Sequence, residues 1–235
     1  QVIDIAHHAS AAGALILRGG AYKPLTFPYT NQSTFELGLE GLNFLKEAGE
    51  ASGLPVVTEV MDPRLVETVA EYADMLQIGA RNMQNFPLLK EVAQSGKPVL
   101  LKRHFGCGLR DWLGAAEHIL YHGNPNVVLC ERGVSAPHTH EATSRFIVDV
   151  QVVPAAHEYS HLPIVVDPSH ATFKRSYVAP VAKAALAAGA DGLLLDVHPT
   201  PEKAAVDPLQ ALSYEAFSTL MNELKSIGQA IGRPI

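Results

Sequence analysis

PIVVDPSH, residues 163–170, is an apolar run that ends abruptly in a carboxylate, a proline and an imidazole. Its β-branched core, Ile164 to Val166, reads as a strand buried on both faces, the pattern of a parallel sheet. Six further runs share the design: LILRGG (15–20), PVVTEV (55–60), LQIGARN (76–82), PVLLKR (98–103), VVLCER (127–132) and GLLLDVHP (192–199). Their polar ends supply Arg18, Arg81, Lys102, Arg103 and Arg132 as cations. Glu59, Asp167, His170 and Asp196, with the later Asp207, supply carboxylates and an imidazole. A buried strand has no reason to end in charge every time. A parallel barrel enzyme does, because its site is built from the loops that follow the C-terminal ends of its strands.

The spacing predicts strands over 14–18, 56–60, 75–78, 99–103, 127–130, 164–166 and 193–197. Amphipathic stretches between them predict helices over 36–52, 86–95, 109–122, 147–159, 177–188 and 214–231. Gly53 closes the first of these as a residue that tolerates positive φ, Asp62-Pro63 starts another with a cap and a first-turn proline, and Ser213 caps the last. Both a closed barrel and an open doubly wound sheet fit this alternation. Charge after all seven strands favours a ring of loops around one site over a single crevice, so the expected fold is α/β, a single (β/α)8 TIM barrel over 1–235. The strand count is one short. A helix over 2–12 precedes the first strand, so the missing first strand is expected upstream of Gln1. A barrel truly lacking it would expose two apolar edges.

Composition excludes other classes. A chain of 235 residues, 47% hydrophobic, suits one well-packed domain. A formal charge of -6 argues against nucleic acid as a partner and makes the cation cluster local, as a small anionic ligand requires. No run of about 18 apolar residues predicts a membrane span. Cys107 and Cys130 do not make a disulfide framework, and the opening QVIDIAHHAS resembles neither a signal nor a transit peptide, so a cytoplasmic location is expected.

LRGGAYKPLT, GARNMQNFPLLKE, LLKR, NPNVVLCERG, VDPSHAT and DGLLLDVHPTPEKA carry a closer resemblance. Over 13–212 the chain resembles the 3-deoxy-D-arabino-heptulosonate 7-phosphate (DAHP) synthases of the compact bacterial and archaeal kind, related to the 3-deoxy-D-manno-octulosonate 8-phosphate synthases. The resemblance implies a transferase that condenses phosphoenolpyruvate with erythrose 4-phosphate at the entry to the shikimate pathway, leading to aromatic amino acids. It also implies one divalent metal ion (manganese, iron, cobalt or zinc) and a homo-oligomer, tetramer or dimer.

By the same resemblance Arg18, Arg81, Lys102 and Arg132 hold phosphoenolpyruvate, Lys23 lies between the two substrates, and Arg103 and Thr26 meet the sugar phosphate. Several fixed cations are what a molecule bearing both a carboxylate and a phosphate needs. His170, Asp196 and Asp207 match three metal ligands. Lys23, Lys102 and His170 are the expected catalytic groups, with Glu59 orienting water or a cation. His198 reads as structural, and His7, His8, His118, His122 and His161 as surface residues. Three departures stand out. The family's cysteine ligand belongs to the strand this sequence lacks; Cys107 sits in a loop after LLKR, and Cys130 reads as a small buried residue. Asp196 replaces a glutamate. Leu25, in Lys23-Pro24-Leu25-Thr26, replaces an arginine that clasps the phosphate of erythrose 4-phosphate. That last change leaves open a different aldehyde, one without a phosphate included, and the first two leave open a non-catalytic homologue that binds phosphoenolpyruvate.

Overall fold

The structure is a computed structural model that describes residues 1–23, 36–137 and 146–234. The chain divides into two compact units, Gln1–Leu101 with Ala115–Val127, and Lys102–Gly114 with Val128–Ile235.

The first unit opens with α1 (Val2–Ala12), closed by Gly13 at φ 104°. Then come β1 (Leu17–Arg18), α2 (Gly38–Ser52), β2 (Val56–Glu59), α3 (Val66–Ala70), β3 (Met75–Ile78), α4 (Phe86–Gln94) and the start of β4 (Val99–Lys102). Neighbouring strands pair in parallel and in chain order: Leu17 with Val56, Val57 with Met75, Leu76 with Val99. Gly53 ends α2 at φ 72°, as its permissive backbone predicts. Asp62 accepts the Arg64 N–H and Pro63 follows it, so the expected cap is present, opening a 3-10 turn that leads into α3. α5 (Leu109–Tyr121) ends, and β5 (Val127–Glu131) begins, within this unit. Val56, Leu76, Ile78, Val99 and Leu101 of the strands are buried, as are Leu42, Leu88 and Val92 of the helices.

The second unit carries the rest of β5, then α6 (Val152–Tyr159), β6 (Ile164–Val166), α7 (Pro168–Thr172), α8 (Arg175–Ala187), β7 (Gly192–Leu193) and α9 (Tyr214–Ala230). Here too the ladder is parallel, Leu129 with Ile164 and Val165 with Gly192. Ser213 caps α9 by accepting the Ala216 N–H at 3.2 Å. The fold is α/β with parallel strands in chain order, as in an incomplete (β/α)8 barrel. Among the described residues no strand precedes β1.

Three predicted elements shift. The strand over 14–18 shrinks to Leu17–Arg18, and the Leu15 side chain lies exposed. The helix over 147–159 starts at Val152 instead, because Ile147 exchanges backbone hydrogen bonds with Val134 at 2.9 and 3.0 Å; Asp149 Oδ1 then accepts the Val152 N–H at 3.2 Å. The strand over 193–197 changes partner midway. Leu194 still donates to Val166 O at 2.9 Å, but Val197 bridges Leu212 and Leu212 donates to Asp196 O at 2.8 Å. The cause is β6 itself, whose chain turns into α7 after Val166 and offers no further ladder. No helix among the described residues is long and apolar enough to cross a membrane.

Candidate active site

In the second unit the end of β4 meets the end of β6. Lys102 Nζ lies 2.6 Å from Asp167 Oδ2, with side-chain exposures of 5% and 0%. Asp167 also caps α7, accepting the His170 N–H at 2.9 Å, and its Oδ2 lies 2.8 Å from His170 Nδ1. One carboxylate thus serves a cation, a helix end and an imidazole. Burial works against its charge, but His170 and Lys102 outweigh burial and hold the carboxyl well below the ordinary carboxylate range. The Asp-Pro pair that starts a helix at 62 recurs at 167, and those two adjacent residue types are the local signal of an N-cap at Asp167.

Asp196, on the segment that follows β7, lies with Oδ2 3.7 Å from His170 Nδ1. Gln210 donates to the same oxygen at 2.6 Å, while Ser169 Oγ accepts the Asp196 N–H at 3.1 Å. Gln210 Oε1 is buried without a hydrogen-bond partner among the described residues. The structure therefore brings His170 and Asp196 together. Asp207 has a left-handed backbone at φ 52°, and among the described residues no group of three His, Cys, Asp or Glu side chains is placed to hold a metal ion. An imidazole beside a carboxylate, as at His170 and Asp196, is a donor pair that suits a borderline divalent ion. Asp167 and Asp196 both approach His170 at Nδ1, at 2.8 and 3.7 Å.

Arg103 is committed elsewhere. Its Nη1 donates to Glu131 Oε2 at 2.9 Å and to Asp149 Oδ2 at 3.0 Å, and its Nε to Cys107 O at 2.9 Å. Glu131 Oε1 accepts the Gly133 N–H at 2.6 Å. Burial pushes the Glu131 carboxyl up, against the pull of Arg103, while the two acids raise Arg103 despite its burial. N–H donors thus engage both oxygens of Glu131. The family resemblance implies that Arg103 meets the sugar phosphate; in the structure its Nη1 bonds two acids. Arg132 lies over the Phe146 ring at 4.4 Å. Cys107 Sγ lies 3.7 Å from His104 Nδ1, and Cys130 is buried, as expected, with its thiol pushed up to about 12 by burial.

In the first unit Arg18 Nε donates to Gln77 Oε1 at 3.2 Å, and Gln77 Nε2 donates to Glu59 Oε2 at 2.8 Å. Arg81 is exposed in a 3-10 turn over Ala80–Asn82. Lys23 is half-buried beside Gly20. Thr26 and Leu25 lie outside the described residues. A groove of 670 Å³ on this unit is lined by Arg64, Phe86, Lys90, His118 and His122, and carries none of the expected site residues. Strand and helix periodicity assigns no role to Gln77, Glu131, Asp149 or Gln210, each of which bonds an expected site residue.

Known proteins resemble this chain in sequence and fold. A protein from Thermotoga maritima named phospho-2-dehydro-3-deoxyheptonate aldolase is 46% identical over 232 residues, which is 99% of this chain and 67% of that protein. A 2-dehydro-3-deoxyphosphooctonate aldolase from Nitratidesulfovibrio vulgaris is 31% identical over 200 residues, 80% of this chain and 71% of its own length. The crystal structure of the Thermotoga maritima DAHP synthase superposes with a TM-score of 0.91 at 45% identity, over 99% of this chain and 66% of that one. A truncated form of that synthase gives 0.89 at 43% identity, over 99% of this chain and 83% of the truncated one. This chain thus spans about two thirds of the length of the full Thermotoga relative. The profile of the DAHP synthetase I family matches residues 1–231, and the chain belongs to that family.

Proposed function

We propose that this chain condenses phosphoenolpyruvate with erythrose 4-phosphate, giving DAHP and inorganic phosphate. The observation that carries the reading is the buried Lys102–Asp167–His170 relay at the ends of two parallel strands. It sets a fixed cation and an oriented imidazole side by side in a member of this family. In the proposed reaction C3 of phosphoenolpyruvate bonds to the aldehyde carbon. Water adds at C2, and phosphate leaves by carbon–oxygen cleavage. Arg18, Arg81, Lys102 and Arg132 hold phosphoenolpyruvate, and Lys23 donates a proton to the aldehyde oxygen. Two anionic substrates repel each other, and fixed cations offset that repulsion.

Family membership supports a divalent-metal cofactor. His170 and Asp196 would hold it, with Asp207 as the third expected ligand, and when bound it supplies Lewis-acid polarisation of a carbonyl. Thr26 and Arg103 belong to the sugar-phosphate end in this reading, with Arg103 acting from within its ion pairs. A cytoplasmic homo-oligomer completes the proposal.

The octonate relatives and Leu25 support a second reading, in which another aldehyde takes the place of erythrose 4-phosphate. Phosphate release from phosphoenolpyruvate, measured with erythrose 4-phosphate and with a panel of aldehydes, with and without manganese, separates the two. Turnover with erythrose 4-phosphate supports the first reading, and turnover with another aldehyde alone supports the second. No release under any condition from full-length, manganese-loaded protein defeats both.

A further inference from the structure

Gln77 lies in the interior of β3, 1% exposed, where a polar side chain costs stability unless both ends of its amide are satisfied. Both are. Its oxygen accepts Arg18 Nε at 3.2 Å and its nitrogen donates to Glu59 Oε2 at 2.8 Å. The neighbours fix which way the amide faces. Turned over, it would set an NH2 group against the guanidinium N–H and a carbonyl against the carboxylate, and both contacts repel. Glu59 is itself only 5% exposed, and its far oxygen, Oε1, packs against Gly79 so closely that any Cβ there would land on it, though it has no hydrogen-bond partner among the described residues. Glu59 therefore anchors Gln77, and Gln77 anchors Arg18.

We propose that Gln77 is a positioning residue that sets the plane of the Arg18 guanidinium for its anionic substrate. Engaging Nε fixes that plane, and the plane decides whether a carboxylate or phosphate can be met by two parallel N–H groups or by one. The inference rests on phosphoenolpyruvate being the anion that Arg18 takes. Gln77 touches no substrate; it acts through Arg18.

The test is a double-mutant cycle in the full chain between Gln77→Met and Arg18→Met, read by calorimetric binding of phosphoenolpyruvate and by KM for each substrate. Gln77→Met in the wild-type background is expected to weaken phosphoenolpyruvate binding on the order of tenfold, with KM for the aldose phosphate within twofold. In the Arg18→Met background the same change is expected to cost less than twofold. Gln77→Leu serves where Gln77→Met does not fold, and the same dependence on the Arg18 background is expected of it. Equal losses in both backgrounds, or equal rises in both KM values, would mean a structural role and overturn the proposal. Wild-type protein that binds no phosphoenolpyruvate overturns the underlying reading and the proposal with it, whereas wild-type binding with an unaffected Gln77→Met variant overturns the proposal alone.

Discussion

Replacing Asp167 by asparagine changes almost no volume and removes one charge, so its cost isolates what that charge does. The ammonium of Lys102 would stay at 5% exposure without that counter-ion, and His170 Nδ1 would lose the nearer of its two carboxylate neighbours. Breaking a buried ion pair from one side costs about 3–5 kcal/mol. The loss at His170 falls on the same oxygen and is not added separately. For a chain of this size each kcal/mol shifts the melting temperature by about 2–4 °C, so Asp167→Asn is expected to melt roughly 6–20 °C lower. Urea unfolding followed by circular dichroism measures the free energy directly. The double variant Lys102→Met, Asp167→Asn removes both charges and is expected to recover more than half of the loss. A single-variant cost under about 1 kcal/mol would refute the picture of a desolvated pair. The sign of the pH effect is also fixed. Asp167 titrates lower in the folded chain than its ordinary value of 3.8, so its contribution is complete above that value and is lost as the pH falls below it. The Asp167→Asn variant should show a flatter acid limb.

Gly79→Ala drives a methyl into the Glu59 carboxylate, and a cost of about 1–3 kcal/mol in urea unfolding is expected, with weaker phosphoenolpyruvate binding as Glu59 and Gln77 shift. Arg103→Met strips the buried Glu131 of its counter-ion; a loss of about 3 kcal/mol at neutral pH is expected, shrinking toward acid as Glu131 takes up a proton. A rise in the aldose-phosphate KM of the folded variant, with the phosphoenolpyruvate KM unchanged, would support Arg103 as a contact to the sugar phosphate. At neutral pH a thiol reagent should titrate one cysteine per native chain, half-buried Cys107, and a second, Cys130, only in denaturant. Two fast equivalents in the native state would contradict that burial.

The parallel sheet was legible because each strand is apolar on both faces and stops at a charge, and both signals are local. Asp62-Pro63 and Gly53 likewise act within a few residues. What stayed hidden is cross-strand. Arg18, Gln77 and Glu59 lie on three different strands, and periodicity says which residues end a strand without saying which neighbours they bond. Arg103 shows the limit most clearly. Its place after LLKR marks it as a ligand-facing cation, yet Glu131 and Asp149, 28 and 46 residues away, claim its Nη1. Ile147 failed for a related reason: an apolar residue next to a helical stretch reads as helix, and its antiparallel bridge to Val134 leaves no trace in spacing.

Because one carboxylate answers to both Lys102 and His170, those two positions are not free to drift apart. A lineage that changes the cation must also change, or carefully preserve, what orients the imidazole. Laboratory evolution meets the same constraint: a library that varies position 102 while keeping Asp167 will return mostly unstable proteins, and one that varies 102, 167 and 170 together is the smallest that can move this site to new chemistry.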